Sequence, residues 1–340
     1  MKARKSYPLL CALAMLGTGI SVLHAQGVQP SVNLNVQELS VSKWNTADGI
    51  LYKQVPGVNL GATSFEVLTG NKIAYLCNAS NEVIITDKTS GAAIKKFPVL
   101  FAARDLVYDN GLFYVLNARQ VSVYDTTGKN VSDISFLNNI YTGVERLARY
   151  NNETYLLLPS GNSLKIESAG KTIEAKEYEG WITSAGYFIK TKISGKNTYS
   201  FTLIKGDKMI DEKTITTDKP MAGVYVAGAA NNRLYLDIQT FVTESPISVE
   251  RKIVSFEITP EEFIGNMVTS IKVPDCYYVL SNNDFHVSSS GTLLNMVTAP
   301  QGVYVYSLTE AKTKNTIGYP DFLIAIKYHF NDHLVKVDAQ

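Results

Sequence analysis

Apolar residues along this chain either alternate with polar ones or run in fours to sixes between clusters of Gly, Asn, Asp and Ser, and no stretch keeps the 3.6-residue period of an amphipathic helix. The pattern predicts an all-β protein of short strands. Three stretches share one design: "ITDKTSGAAI" from Ile85, "VYDTTGKNV" from Val123 and "KIESAGKTI" from Lys165 each carry an apolar pair, an acidic residue, small polar residues, a glycine and a fresh strand. The spacing of about forty residues is the mark of a repeat.

The clearest units are "NKIAYLCNASNEVIITDKTSGAAIKKF" and "NGLFYVLNARQVSVYDTTGKNVSDI", each preceded by a further apolar stretch, "TSFEVLTG" or "ARDLVYDN". Each unit therefore reads as four strands. In the turn, Asp125 is placed to accept a bond from the backbone two residues on, and Gly128 to take the positive φ of a tight reversal. Ser168, Ala169 and Gly170 are read as the same device behind Glu167. Later units keep the strand order with "KGDK" as a turn, or with an insertion, Thr240 to Glu250, read as a long loop.

Repeated four-stranded units of this length resemble the β-propeller superfamily, in which each unit is a blade around a central channel. The resemblance covers nearly the whole chain after residue 25 and is architectural. The pairs of the WD40 kind, the glycine doublets of kelch repeats and the tryptophan-docking motif of quinoproteins do not occur. Seven blades are expected, starting near Gly61, Leu100, Asn138, Trp181, Lys219 and Ile271, plus a composite one; six is the alternative count. In the composite blade, "SVNLNVQELSV" and "GILYKQV" at the N-terminal end complete the C-terminal strands "DFLIAIKY" and "HLVKVDAQ". A two-sheet sandwich seldom holds so many strands.

The first residues differ. Lys2, Arg4 and Lys5 precede the apolar run "YPLLCALAMLGTGISVL", and Ala25 is a small residue in place for cleavage, so 1–25 reads as a secretory signal peptide and 26–340 as one propeller domain. The run is too diluted by Gly17, Thr18, Gly19 and Ser21 for a membrane span. Without the leader, 29 basic residues face 31 acidic ones, and a near-neutral balance gives no long-range attraction for nucleic acid. With 45% hydrophobic residues, 20 Tyr and 13 Phe, a large core is expected.

Candidate chemistry is sparse. Cys77 and Cys276 sit in apolar runs, and a blade between them would hold them apart as free thiols. His329 and His333 in "YHFNDH" flank a turn with Asp332, where their spacing does not converge on a metal; no metal and no cofactor are expected. No nucleophile elbow or phosphate loop occurs, and His286 has no partner nearby in sequence.

One constellation remains. Alignment of first strands puts Phe65, Arg104 and Arg146 in one tier, Glu66 and Asp105 in the next and Glu145 in the one before, with Asp275 and Asp321 opening the last two blades. These charges either pair between blades and fix their register, or line a polar channel mouth that holds a ligand. Tyr141, Trp181 and Met221 lie at or before blade starts, and Phe241 lies in the insertion. The candidate binding residues are thus Arg104, Tyr141, Glu145, Arg146, Trp181, Phe241, Asp275 and Asp321. The leading functional reading is a secreted, periplasmic or extracellular, non-catalytic module that binds a protein or glycan. A propeller hydrolase or lyase and a carrier of a small polar ligand are the alternatives.

Overall fold

The computed structural model describes residues 34–136, 143–144, 146–245, 247–274, 278–288, 290–311 and 317–324. These form 26 strands and one helical turn. The first strand, β1 (Leu34–Lys43), is followed by a small hairpin, β2 (Lys53–Val55) and β3 (Val58–Leu60). Sheet I holds β4 (Ala62–Leu68), β5 (Lys72–Cys77), β6 (Glu82–Asp87) and β7 (Ala93–Pro98), and sheet II holds β8 (Asp105–Asp109), β9 (Leu112–Leu116), β10 (Gln120–Asp125) and β11 (Asn130–Ser135). Sheet III holds β12 (Arg146–Tyr150), β13 (Glu153–Leu157), β14 (Ser163–Ser168) and β15 (Lys171–Tyr178). Sheet IV holds β16 (Trp181–Ile182), β17 (Phe188–Gly195), β18 (Thr198–Lys205) and β19 (Lys208–Thr216). Sheet V holds β20 (Met221–Ala230), β21 (Arg233–Glu244), β22 (Ile247–Ile258) and β23 (Ile264–Val273). Sheet VI holds β24 (Phe285–Val287), β25 (Leu293–Ala299) and β26 (Gly302–Glu310), and β1 pairs antiparallel with β26 as its fourth strand. The helical turn α1 (Asp321–Ile324) follows.

Among the described residues the sheets follow one another as the blades of a β-propeller, and they number six, not seven. The strand pairings explain the miscount. The "SVNLNVQELSV" strand belongs to the same sheet as β24–β26, so the sixth unit and the composite unit are one blade. The "GILYKQV" stretch makes the β2–β3 hairpin outside the blades, and "DFLI" is a helical turn. Residues 325–340, which include "HLVKVDAQ" and both C-terminal histidines, lie outside the described residues, as does the leader.

The middle strands of a blade are covered on both faces, which is why they read as continuous apolar runs. Ile73, Tyr75 and Cys77 pack towards sheet VI against Leu294, Met296 and Val305, whereas Ala74 and Leu76 pack towards sheet II against Leu106 and Phe113. Five of the six interfaces carry large apolar clusters. The III–IV interface is the exception, with only Tyr155, Leu157, Ile182, Phe188 and Ile204 fully buried in its cluster. Its outer half is a cleft of about 520 Å³ lined by charged and polar residues such as Glu177, Lys190, Lys192 and Glu212 together with Tyr178, Ile204 and Met209.

The turns behave largely as their composition demands. The Asp125 carboxylate accepts the Thr127 N–H at 2.8 Å, and Gly128 has φ +85° with its α-carbon against Phe97. Glu167 does not do this work. Its carboxylate bonds Thr154 and Arg149 instead, and the reversal at Ala169 and Gly170 is a two-residue turn with both φ positive. The expected loop from Thr240 to Glu250 is likewise absent. β21 and β22 stay paired through Phe241↔Val249 to Glu244↔Ile247, a long hairpin in which Phe241 is half-buried.

Candidate functional site

The first strands of the blades converge on the axis, and a buried polar network joins them. Asp105, fully buried at the start of β8, accepts the Ser64 hydroxyl at 2.6 Å and the Leu147 N–H at 2.8 Å, and the Asn283 amide stands 3.4 Å away. One carboxylate therefore touches sheets I and III and the segment leading into sheet VI. Ser64 and Asn283 also form a parallel bridge between the first strand of sheet I and the segment leading into sheet VI, and Asn282 donates to the Arg104 carbonyl at 2.7 Å. Burial pushes the Asp105 pKa up, against the charge of Arg146 and the hydrogen bonds it accepts.

The register differs from the aligned tiers. Asp105 meets Ser64 rather than Glu66, because the β4–β5 hairpin turns through three residues, Thr69 to Asn71, where the β8–β9 hairpin turns through Asn110 and Gly111, so that Asn71 ends its turn where Asn110 begins its own. Glu66 pairs instead with His286 Nδ1 at 3.3 Å, so this histidine does have a partner, 220 residues away along the chain. Burial pulls the His286 pKa down, and the Glu66 carboxylate more than offsets it, leaving the imidazole raised. Across sheets V and VI, Arg251 binds Asp237 at 2.7 Å and Asp284 at 2.8 Å.

Arg146, at the head of β12, is held differently. Its Nη2 donates to the Asn283 side-chain oxygen at 3.0 Å and its Nη1 to the Val226 carbonyl at 3.3 Å, both neutral, and its buried Nε has no hydrogen-bond partner. The guanidinium lies 5.2 Å from the centre of the Trp181 ring, whose N–H donates to the Leu158 carbonyl. Burial pulls the Arg146 pKa down, and the charges of Asp105, Asp284 and Asp237 pull it up. Arg104 donates to the Val144 carbonyl at 2.8 Å.

The structure thus brings Arg104, Arg146 and Trp181 together around the axis. Phe241 is on the sheet V hairpin, and Asp321 is exposed at the start of α1 instead of opening a first strand. Tyr141, Glu145, Asp275 and Cys276 lie outside the described residues. Cys77 is a buried free thiol, but sheets I and VI adjoin, so no blade stands between it and the sixth sheet as expected from seven blades.

Beside Trp181 the innermost strand of sheet IV is cut short. β16 pairs only Trp181 with Ile189 and Ile182 with Phe188, while β17 continues to Gly195 with β18 alone beside it. The place where the rest of β16 would run is a cavity of about 260 Å³ bounded by Pro159, Trp181, Thr191, Ile193, Gly223 and Tyr225 among others. Tyr225 and Ile193, which sequence reasoning passed over, are 46% and 43% exposed. The Tyr225 ring lies over Gly223, where any Cβ would stand 2.6 Å from it.

No protein-family model and no curated protein sequence matches the chain. Solved structures that it resembles include Kuenenia stuttgartiensis hydrazine synthase (13% identity, 74% of this chain and 79% of that one, TM-score 0.46). BamB from Moraxella catarrhalis (11%, 82% and 85%, TM-score 0.39) and Kluyveromyces lactis Hsv2 (9%, 84% and 98%, TM-score 0.39) are also similar. At such identities and TM-scores these likenesses carry no functional inference. Among the described residues no helix is long and apolar enough to cross a membrane.

Proposed function

We propose that this propeller is an exported, non-catalytic interaction module that presents one end of its ring to a protein partner. The observation that carries the reading is where large apolar side chains stay in water. The segments joining the last strand of one blade to the first of the next share an end of the ring with the links between second and third strands. That end holds Phe101 (81% exposed), Leu280 (61%), Leu100, Val58 and, on the sheet V hairpin, Val242 and Ile247. Phe101 and Leu280 flank the Asn282–Arg104 bond over the channel mouth. The interior carboxylates, by contrast, each hold sheets or strands together: Asp105 with Ser64 and Leu147, Glu66 with His286, Asp237 and Asp284 with Arg251. Export is supported by the leader-like sequence of residues 1–25.

Photo-crosslinking from position 101, with position 209 on the outer strand β19 as control, tests the reading. Under native envelope conditions a discrete adduct is expected from 101 and not from 209, and F101D/L280D, both at exposed sites, removes the partner without unfolding the ring. Equal labelling from both positions, or an adduct that survives the double substitution, refutes it.

A further inference from the structure

We propose that the notch in sheet IV is a docking site for an extended peptide of a partner protein, which enters as the missing part of β16 and pairs its main chain with β17. This rests on the protein-interaction reading and states the form in which the partner is held.

The first argument is hydrogen-bond parity. The Thr183 N–H donates to the Tyr187 carbonyl, and Trp181 pairs with Ile189, so odd-numbered residues of β17 turn their backbone groups towards β16. Thr191 and Ile193 continue that series beyond the end of β16, on an edge that has β18 on its other side only. In sheets I, II, III and V the inner edge is that of the first strand, at the crowded axis, and in sheet VI, where β24 is also short, the segment before it bonds the rest of β25 through Asp284 and Val279. In sheet IV it is the edge of a second strand, beside the cavity of about 260 Å³. Main-chain donors and acceptors in such an edge are met by another extended backbone.

The second argument is the chemistry of the walls. Ile193, Tyr225 and Trp181 offer apolar and aromatic surface, Thr191 is held by its hydroxyl on the Val224 carbonyl at 3.2 Å, and Pro159 to Gly161 close the side towards sheet III. An extended segment with apolar residues at alternate positions fits these walls. The Arg146 guanidinium lies 5.2 Å from the centre of the Trp181 ring and does not line the cavity, and the cation that does line it is Lys192 of β17. A carboxylate on the segment complements it. Peptide strand addition thus meets the edge, the walls and the cation together.

Selection from a random octapeptide display library against the mature chain tests the site. The expected winners alternate apolar residues and carry an Asp or Glu. They lose at least about tenfold in affinity against I193K and against Y225A, both at exposed positions that leave the fold intact. Methylating alternate backbone nitrogens of a winner, which keeps every side chain but removes strand pairing, abolishes binding, whereas methylating the intervening nitrogens does not. No enrichment, winners without an acid, or winners indifferent to I193K, Y225A and N-methylation overturn the proposal. If the Phe101 crosslink survives I193K and Y225A while peptides fail, the interaction reading stands and the notch falls; if the crosslink is absent while notch peptides bind as described, the reverse holds.

Discussion

Replacing Asp105 is the most direct probe of the axial network. Asp105→Ala leaves the buried Leu147 N–H without its acceptor, takes the Ser64 hydroxyl's partner away and removes the anion nearest Arg146. A hydrogen bond to a charged group contributes about 1.5–3 kcal/mol, and breaking a buried charged network by deleting one member costs about 3–5 kcal/mol. The estimate is lowered by the relief of burying a carboxylate, which the raised pKa reports, so we expect a loss of about 3 kcal/mol for the alanine. Asp105→Asn has the same shape. Its side-chain oxygen still accepts from Leu147, its amide donates to Ser64 once that hydroxyl rotates, and it escapes the desolvation cost; the expected loss is about 1 kcal/mol. Against a total stability of about 5–15 kcal/mol the difference is large. Urea unfolding is followed in parallel by far-UV circular dichroism and by tryptophan emission. Of the two tryptophans, Trp181 stacks on Arg146 and reports the network locally. Unchanged m-values with midpoints in the order wild type, Asn, Ala agree with the reasoning. An alanine variant within about 0.5 kcal/mol of wild type, inside the usual scatter of surface substitutions, or an asparagine as damaging as alanine, refutes it.

Two further outcomes follow from the contacts. Burial pushes the Glu250 pKa up, but hydrogen bonds and charges from Lys272, Lys252 and Lys219 outweigh it and bring it down to about 2. Ionised Glu250 therefore stabilises the fold fully above its unfolded pKa of 4.5 and loses that effect as pH falls towards 2. Because the site is partly solvated, the gap between wild type and Glu250→Gln should be only about 1–2 kcal/mol at pH 7, closing by pH 2; a gap constant across that range contradicts the assignment. Gly91 and Gly70 both have φ near +70°, but a Cβ at Gly91 would stand 1.8 Å from the Val41 carbonyl oxygen of β1, whereas one at Gly70 meets nothing. Gly70→Ala should cost about 1–2 kcal/mol from backbone strain alone, and Gly91→Ala at least about 2 kcal/mol more; equal thermal shifts would deny the contact between this turn and the N-terminal strand.

What the sequence could disclose depended on how local its cause was. The Asp125–Gly128 turn was legible because its bonds join residues two to four apart. The blade count was not, since β1 and β26 are about 270 residues apart and nothing in either strand says which sheet it completes. The tiers around the axis failed by a small register change, caused by one extra turn residue before Lys72 and by Asn71 and Asn110 standing at opposite ends of their turns, which a match on asparagine does not reveal. Arg104 and Arg146 were placed near the axis by aligning first strands on their hairpins, and Trp181 as a residue at a blade start. Glu66–His286 and Arg251–Asp284 were missed as pairs because each partner lies on another sheet. The short β16, however, was written in the sequence. Gly180 and Gly186, both with positive φ, bracket "WITSA", and the turn closed by the Gly186 N–H on the Thr183 carbonyl leaves room for only two paired residues.

That truncation falls where the ring is least tightly held. An interface between blades resists opening in proportion to the apolar surface it hides, at about 25 cal/mol per Å². Sheets III and IV hide the least: five fully buried side chains near the axis, then the cleft where β17 turns Lys190 and Lys192 towards sheet III instead of the valines and isoleucines found at other interfaces. Sheet IV in turn packs heavily on sheet V through Phe201, Leu203, Leu236 and Phe256, so it is anchored on one side and loosely seated on the other. Local openings cost least at such a seam, and a strand added beyond Ile189 meets no formed ladder on that side of β17. The two glycines that shorten β16 thus leave the β17 edge bare, and the two lysines keep the seam beside it polar.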